Sequence, residues 1–186
     1  MIGLLSQLSQ NLFKQMNKII TIEELSMLKD LGKKLDVNKI NPIIEQAQDI
    51  DLRDFLGMKF YFNVLENIES PGFQDLLSGS TFTVEGVLYH HEGLKAMLAD
   101  LFTARYILQI NTNVTPFGAT VKKSPDSELA ERNSLKDIAQ TNKEAASSKW
   151  EVIKLFLKSN KALFPIYNSS PDTISTGERR LKFRRI

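Results

Sequence analysis

The stretch GVLYHHEGLKAMLADLFTARYILQ, Gly86 to Gln109, decides the fold, because it joins a short β-prone run to a strongly apolar helix. Leu94, Met97, Leu98, Leu101 and Leu108, with Arg105 among them, fall on one face at helical spacing, and Ala99, Phe102 and Tyr106 form a second apolar stripe beside it. A helix apolar on two stripes is touched from more than one side, so it is predicted to be central. Before it, 80–84 and 87–91 are two β-prone runs separated by Glu85-Gly86, which suits a tight hairpin turn. The hairpin leads straight into the helix.

Working upstream, Thr21 followed by Glu23 and Glu24 suits a helix N-terminus, where acidic side chains meet the positive end of the dipole. That helix is predicted to end near Gly32. Pro42 is read as lying in the first turn of a second helix that turns Ile43, Ile44 and Ala47 inward, with Asp49 and Asp51 marking a restart. Leu52, Phe55, Leu56, Phe60, Tyr61, Val64 and Leu65 continue at helical spacing towards Asn67, Gly57 being a break or a close-packing point. Ser70-Pro71-Gly72 reads as a turn, and Phe73 to Leu77 as a short helical segment. At the start of the chain, Ile2, Leu5, Leu8, Leu12, Phe13 and Met16 repeat every three or four residues, which predicts an amphipathic helix over 1–18 that packs on the core or docks on a neighbouring chain.

Working downstream, 111–123 is predicted to be a long loop holding Phe117, Lys122 and Lys123, with Thr115-Pro116-Phe117-Gly118 shaped like a β-turn. Ser124, Pro125 and Asp126 form a strong helix start, and no proline or glycine follows until about Asn160, so one helix of roughly 35 residues is expected. Leu129, Leu135 and Ile138 are expected to pack near one end of it, and Trp150, Ile153, Phe156 and Leu157 near the other. Its polar middle, QTNKEAASSK, would be solvated, kinked, or pressed against another subunit through Ala145, Ala146, Ser147 and Ser148. Leu163 to Tyr167 should rest on the core.

Taken in this order, the hairpin, the helix HEGLKAMLADLFTARYI and the run NVTPFGATVKKSPDSELA resemble the head-tail connector (adaptor) proteins of tailed bacteriophages, of the kind found in phages of gut Bacteroidetes, including the crAss-like group. The upstream runs IITIEELSMLKDL and LDVNKINPIIEQAQDIDLRDFLGMKFYFNVLEN fit the same pattern, so the resemblance spans roughly 19–167. It implies a mainly α, helical-bundle adaptor fold with one β-hairpin and extended terminal arms. It also implies a virion protein of the neck, assembled in the host bacterial cytoplasm. There it would sit as a homo-oligomeric ring of about twelve copies that docks under the portal protein, meets further neck or tail proteins, and surrounds the channel through which genomic DNA passes.

Composition narrows the chemistry. A chain of 186 residues, 42% hydrophobic and 25% charged, can build one sizeable core, here assigned to 19–167. It has no cysteine, so disulfides and thiolate metal sites are excluded, and no apolar run approaches a membrane span. The sequence shows no phosphate-binding glycine loop, no G-x-S-x-G and no H-E-x-x-H. His90 and His91, the only histidines, would point to opposite faces of a strand and are read as surface and hairpin-packing residues rather than metal ligands. No catalytic residue, cofactor or metal is therefore expected.

The remaining signal is the basic arm over 168–186. Arg179, Arg180, Lys182, Arg184 and Arg185 stand against Glu178, a local charge of +4 that leaves −2 for the residues before 177. Leu181 and Phe183 alternate with the cations, a period-two pattern suited to a strand that adds to another chain. The same cations would also contact nucleic-acid phosphates, so a small nucleic-acid-binding regulator is the alternative function. The candidate partner-binding residues are thus 179–185 together with Phe117, Lys122 and Lys123.

Overall fold

A computed structural model describes residues 18–29, 36–109, 112–115, 118–121 and 132–169. The first helix, α1 (Ile22–Leu28), opens on a capping box: Thr21 Oγ1 accepts from the Glu24 N–H at 3.2 Å, and Glu24 Oε2 accepts from the Thr21 N–H at 3.0 Å. It ends at Leu28 rather than near Gly32, because Lys29 turns extended at φ −137° and ψ 138°. In α2 (Val37–Gln46) the Asp36 side chain caps the Asn38 N–H at 3.2 Å, which starts the helix a turn earlier than expected. Pro42 consequently sits inside the helix, where the acceptor it fails to pair, the Asn38 carbonyl, belongs to an exposed residue that water can serve. Ile43, Ile44 and Ala47 are buried as the spacing predicts.

No restart breaks the helix at Asp49 or Asp51. Beyond Gln46 the backbone widens into a π-helical stretch, Ala47–Leu52, and returns to α geometry in α3 (Arg53–Leu56). Gly57, at φ +75°, then breaks the helix before α4 (Met58–Glu66). The widened stretch carries Gln48 into the interior, where its Oε1 accepts from the Ile19 N–H at 2.9 Å. That bond ties the entering chain to the second helix and supplies a partner to a buried donor.

Pro71 begins α5 (Pro71–Ser78), at a first turn where its missing N–H costs nothing. The hairpin comes next, with β1 (Ser80–Val84) and β2 (Val87–His91) in antiparallel register from Ser80↔His91 to Val84↔Val87. Glu85 and Gly86 both have positive φ, 52° and 81°, as a two-residue turn matched to strand twist requires. The central helix α6 (Gly93–Gln109) is buried continuously from Ala96 to Phe102. Leu108 departs from expectation at 41% exposure, although Gln109 beside it still reaches Gln46 of α2 at 3.3 Å.

The predicted loop after α6 carries two short strands, β3 (Thr112–Thr115) and β4 (Gly118–Val121), paired from Thr112↔Val121 to Thr115↔Gly118. Thr115 and Gly118, the outer positions of the expected turn, are thus opposite each other, and the fold is mainly helical with the predicted hairpin and a second small ladder. Helix α7 (Arg132–Ser159) runs about 42 Å antiparallel to α6, pairing Asn142 with the Lys29 and Asp100 region and Phe156 with His91. Its predicted start at 124–126 lies outside the described residues.

The polar middle of α7 is solvated over most of its surface, with Gln140, Thr141, Lys143, Glu144, Ser147 and Ser148 exposed, but one face of it turns inward. Ala139, Ala146, Trp150, Ile153 and Leu157 form a buried seam at heptad-like spacing, and Ala146 is fully covered by the chain's own core. Ile138, one residue off that seam, is 45% exposed, contrary to expectation. After a turn, Pro165 begins α8 (Pro165–Ser169), which closes the core with an aromatic cluster: Phe164 meets Phe60, Phe73 and Phe156, and Tyr167 meets Phe60 at 5.0 Å. Each such side chain adds about 2–3 kcal/mol of burial.

Candidate functional site

The residues singled out as partner-binding, Phe117, Lys122, Lys123 and 179–185, lie outside the described residues, as does the N-terminal segment 1–17. What is described is the helical domain and its hairpin. Several ionisable side chains, one buried and the others partly buried, join helices to one another. Asp100, 2% exposed in the middle of α6, accepts from the Lys29 ammonium at the end of α1, and Asn142 on α7 accepts from the same ammonium at 3.4 Å. Lys149 on α7 lies 2.9 Å from Glu92 Oε2 and 2.9 Å from Asp100 Oδ2, an ion pair with each. Burial alone would lower the pKa of Lys149, but Glu92 and Asp100 outweigh it and hold the ammonium above its usual range.

Two further pairs do the same for other junctions. Lys95 meets Glu24 at 2.6 Å and pins α1 to α6. Partial burial pushes the Glu24 carboxyl up, yet Lys95 and the Thr21 N–H win and lower it. Arg105 grips Asp51 with two nitrogens, one at 2.8 Å, locking α6 to the π-helical stretch; that hydrogen bonding raises the guanidinium pKa. Sequence reasoning missed Asp100. Its signal was a carboxylate set inside the apolar run Ala96–Phe102.

The two histidines separate as strand geometry requires: His90 is exposed and His91 is 2% exposed. His91 lies against the Phe156 ring at 4.3 Å, with Nε2 3.1 Å from Ser80 Oγ and no partner for Nδ1. Burial, reinforced by His90 and opposed by Asp75, lowers its pKa from 6.5 to about 4. It is therefore neutral at physiological pH. In the unfolded chain it titrates at its ordinary value, so between pH 6.5 and about 4 the unfolded state binds the extra proton. Stability is expected to fall by about 2–3 kcal/mol over that window as pH drops. Urea midpoints at pH 7 and pH 4.5 check this, since a His91→Leu chain should lose less across the same interval.

The exposed apolar side chains include Leu88 at 71% and Val87 at 54% on the hairpin, and Met27 at 85% on α1. A shallow groove of about 490 Å³ opens beside the start of α1, lined by Lys18, Ile20, Glu23, Asn41 and Glu69 among others. Lys18 is held there by Asn41 at 3.3 Å and Glu45 at 3.6 Å. Among the described residues no cluster of three metal-ligating side chains occurs, and no helix is long and apolar enough to cross a membrane.

A model of a protein family matches residues 52–177, from the end of the π-helical stretch through α8, more than half of the chain. The chain belongs to DUF6712, a family of unknown function. No curated protein and no solved structure matches it. The DUF6712 segment includes the hairpin, α6 and α7, and thus the Asp100 and Lys149 contact, while Lys29 and Glu24 on α1 lie before it.

Proposed function

We propose that the chain is a structural subunit of a phage neck, a head-tail connector that assembles as a ring beneath the portal and joins capsid to tail. The reading rests first on the resemblance of 19–167 to such adaptors. The observation that carries it furthest is the division of labour in the described body. The buried Asp100 and several partly buried charges are held in helix-to-helix ion pairs, whereas large apolar side chains stand outward on the hairpin and on most of the helices. A body braced within and apolar at many points of its surface suits assembly through many modest contacts, in which docking one part raises the effective concentration of the next.

The arm is the segment assigned to the neighbouring parts, with Arg179, Arg180, Leu181, Lys182, Phe183, Arg184 and Arg185 as its contacts. Deleting residues 169–186 should leave a folded protein, by circular dichroism, that no longer joins the virion neck. Normal incorporation of the truncated chain would remove the arm from the proposal. The nucleic-acid regulator predicts instead that the isolated chain binds duplex DNA with an affinity falling steeply as salt rises.

A further inference from the structure

Nothing among the described residues pairs with the outer edge of β1. Among the described residues, no backbone group of Ser80–Val84 hydrogen-bonds to backbone beyond its ladder with β2, and β1 has no second neighbour in the sheet. Natural edge strands are usually guarded by lysine, proline or a bulge. Here STFTV contains no charge and no proline, and its five-pair register is unbroken.

We propose that this edge receives residues 179–185 of a second copy of the chain, which add to β1 as a third strand. The inference rests on the ring reading above, since a head-to-tail contact of this kind repeats from copy to copy and makes a ring when its rotation closes. Side-chain spacing supports the match. Phe82 and Val84 lie two apart on the inward face of β1, and Leu181 and Phe183 lie two apart on the arm. Aligning these pairs turns Arg180, Lys182 and Arg184 to the outer face, beside the exposed Thr81 and Thr83.

Charge agrees. Asp75, exposed and near enough to act on His91 opposite Ser80, stands at one end of β1, and exposed Glu85 stands at the other. The cations flanking Leu181 and Phe183 meet an acid at each end, whichever way the strand runs. Residues 170–178 between α8 and the arm reach about 30 Å when extended, enough to cross to a neighbouring subunit.

The chain has no cysteine, so any disulfide in a test is an engineered one. Two full-length chains distinguishable by a tag, one carrying T83C and the other K182C, are mixed at high concentration and mildly oxidised; R180C and R184C cover shifted registers. The expected product is a mixed disulfide dimer. It should be lost in excess synthetic peptide of residues 178–186, and kept when Leu181 and Phe183 of that peptide are serine. The inference is overturned if none of the three positions gives a mixed dimer, or if the link forms only inside a chain carrying both cysteines. If deletion of 169–186 abolishes neck incorporation while T83C links to nothing, the edge falls and the connector stands. If the mixed dimer forms but mature particles lack the protein, the connector falls and the edge stands.

Discussion

Gly93→Ala is expected to unfold the chain under conditions that Gly86→Ala survives. Both glycines have positive φ, 84° and 81°, so both substitutions carry the left-handed backbone penalty of about 1–2 kcal/mol. Their surroundings differ. A Cβ on Gly86 meets nothing within 4 Å, whereas one on Gly93 falls 2.5 Å from Gly79 N, 2.7 Å from Ser78 C, and closer still to the Leu77 carbonyl oxygen. These are backbone atoms, and no rotamer can move them aside.

Relief requires prising the α5–β1 junction away from the β2–α6 junction, which opens the base of the hairpin and the start of the buried helix together. The loss should exceed about 4 kcal/mol, in the exceptional tail of single substitutions. Denaturant midpoints for the two variants, with the slope checked for constancy, measure the difference. Equal midpoints would mean that the crossing is not the constraint described.

The second large effect falls on Asp100. Removing its carboxylate as Asp100→Ala leaves Lys29 and Lys149 facing each other across the α1, α6 and α7 junction without their shared counter-charge. Breaking a buried pair from one side costs about 3–5 kcal/mol. Both lysine side chains retain some exposure, 26% and 21%, and their stems allow the ammonium groups to reach water, which places the expected loss near the lower end, about 3 kcal/mol. Asp100→Asn, which keeps an acceptor but no charge, should lose less.

A double-mutant cycle with Lys29→Met tests the assignment. Once Asp100 is gone, removing Lys29 should cost little, and additive losses would show that the two residues act separately. Because α1 is a short helix attached through Leu25, Glu24 and Lys29, its amide protons should also exchange faster in Asp100→Ala than in Asp100→Asn.

Much of the architecture was legible in the residues. The hairpin limits, the Glu85-Gly86 turn, the central place of α6, the break at Gly57 and the inward side chains of α2 and α4 all follow from local rules of spacing, capping and turn chemistry. The errors share a cause. Ile138 and Leu108 belong to a face by period alone, yet they are exposed because burial depends on which side of a helix its neighbours pack against. Ala139 and Ala146 carry little hydrophobic signal, yet α6 and α7 meet closely over them because small side chains admit a second helix. Pro42 was placed by a statistical preference that the Asp36 cap overrode.

The candidate contacts were legible only as chemistry. Alternation of Leu181 and Phe183 with cations marks an arm suited to docking, and an uncharged STFTV run marks a strand, but neither states that one side of the strand has no backbone partner among the described residues. Likewise Asp100 reads as an oddity among apolar neighbours until α1 and α7 bring a lysine to each side of it. Periodicity, caps and turn residues act within a few positions of one another, so the order and type of elements are written along the chain. Which edge stays open, which charge is buried, and which glycine bears a crossing depend on atoms far apart in sequence, and only their approach in three dimensions determines those outcomes.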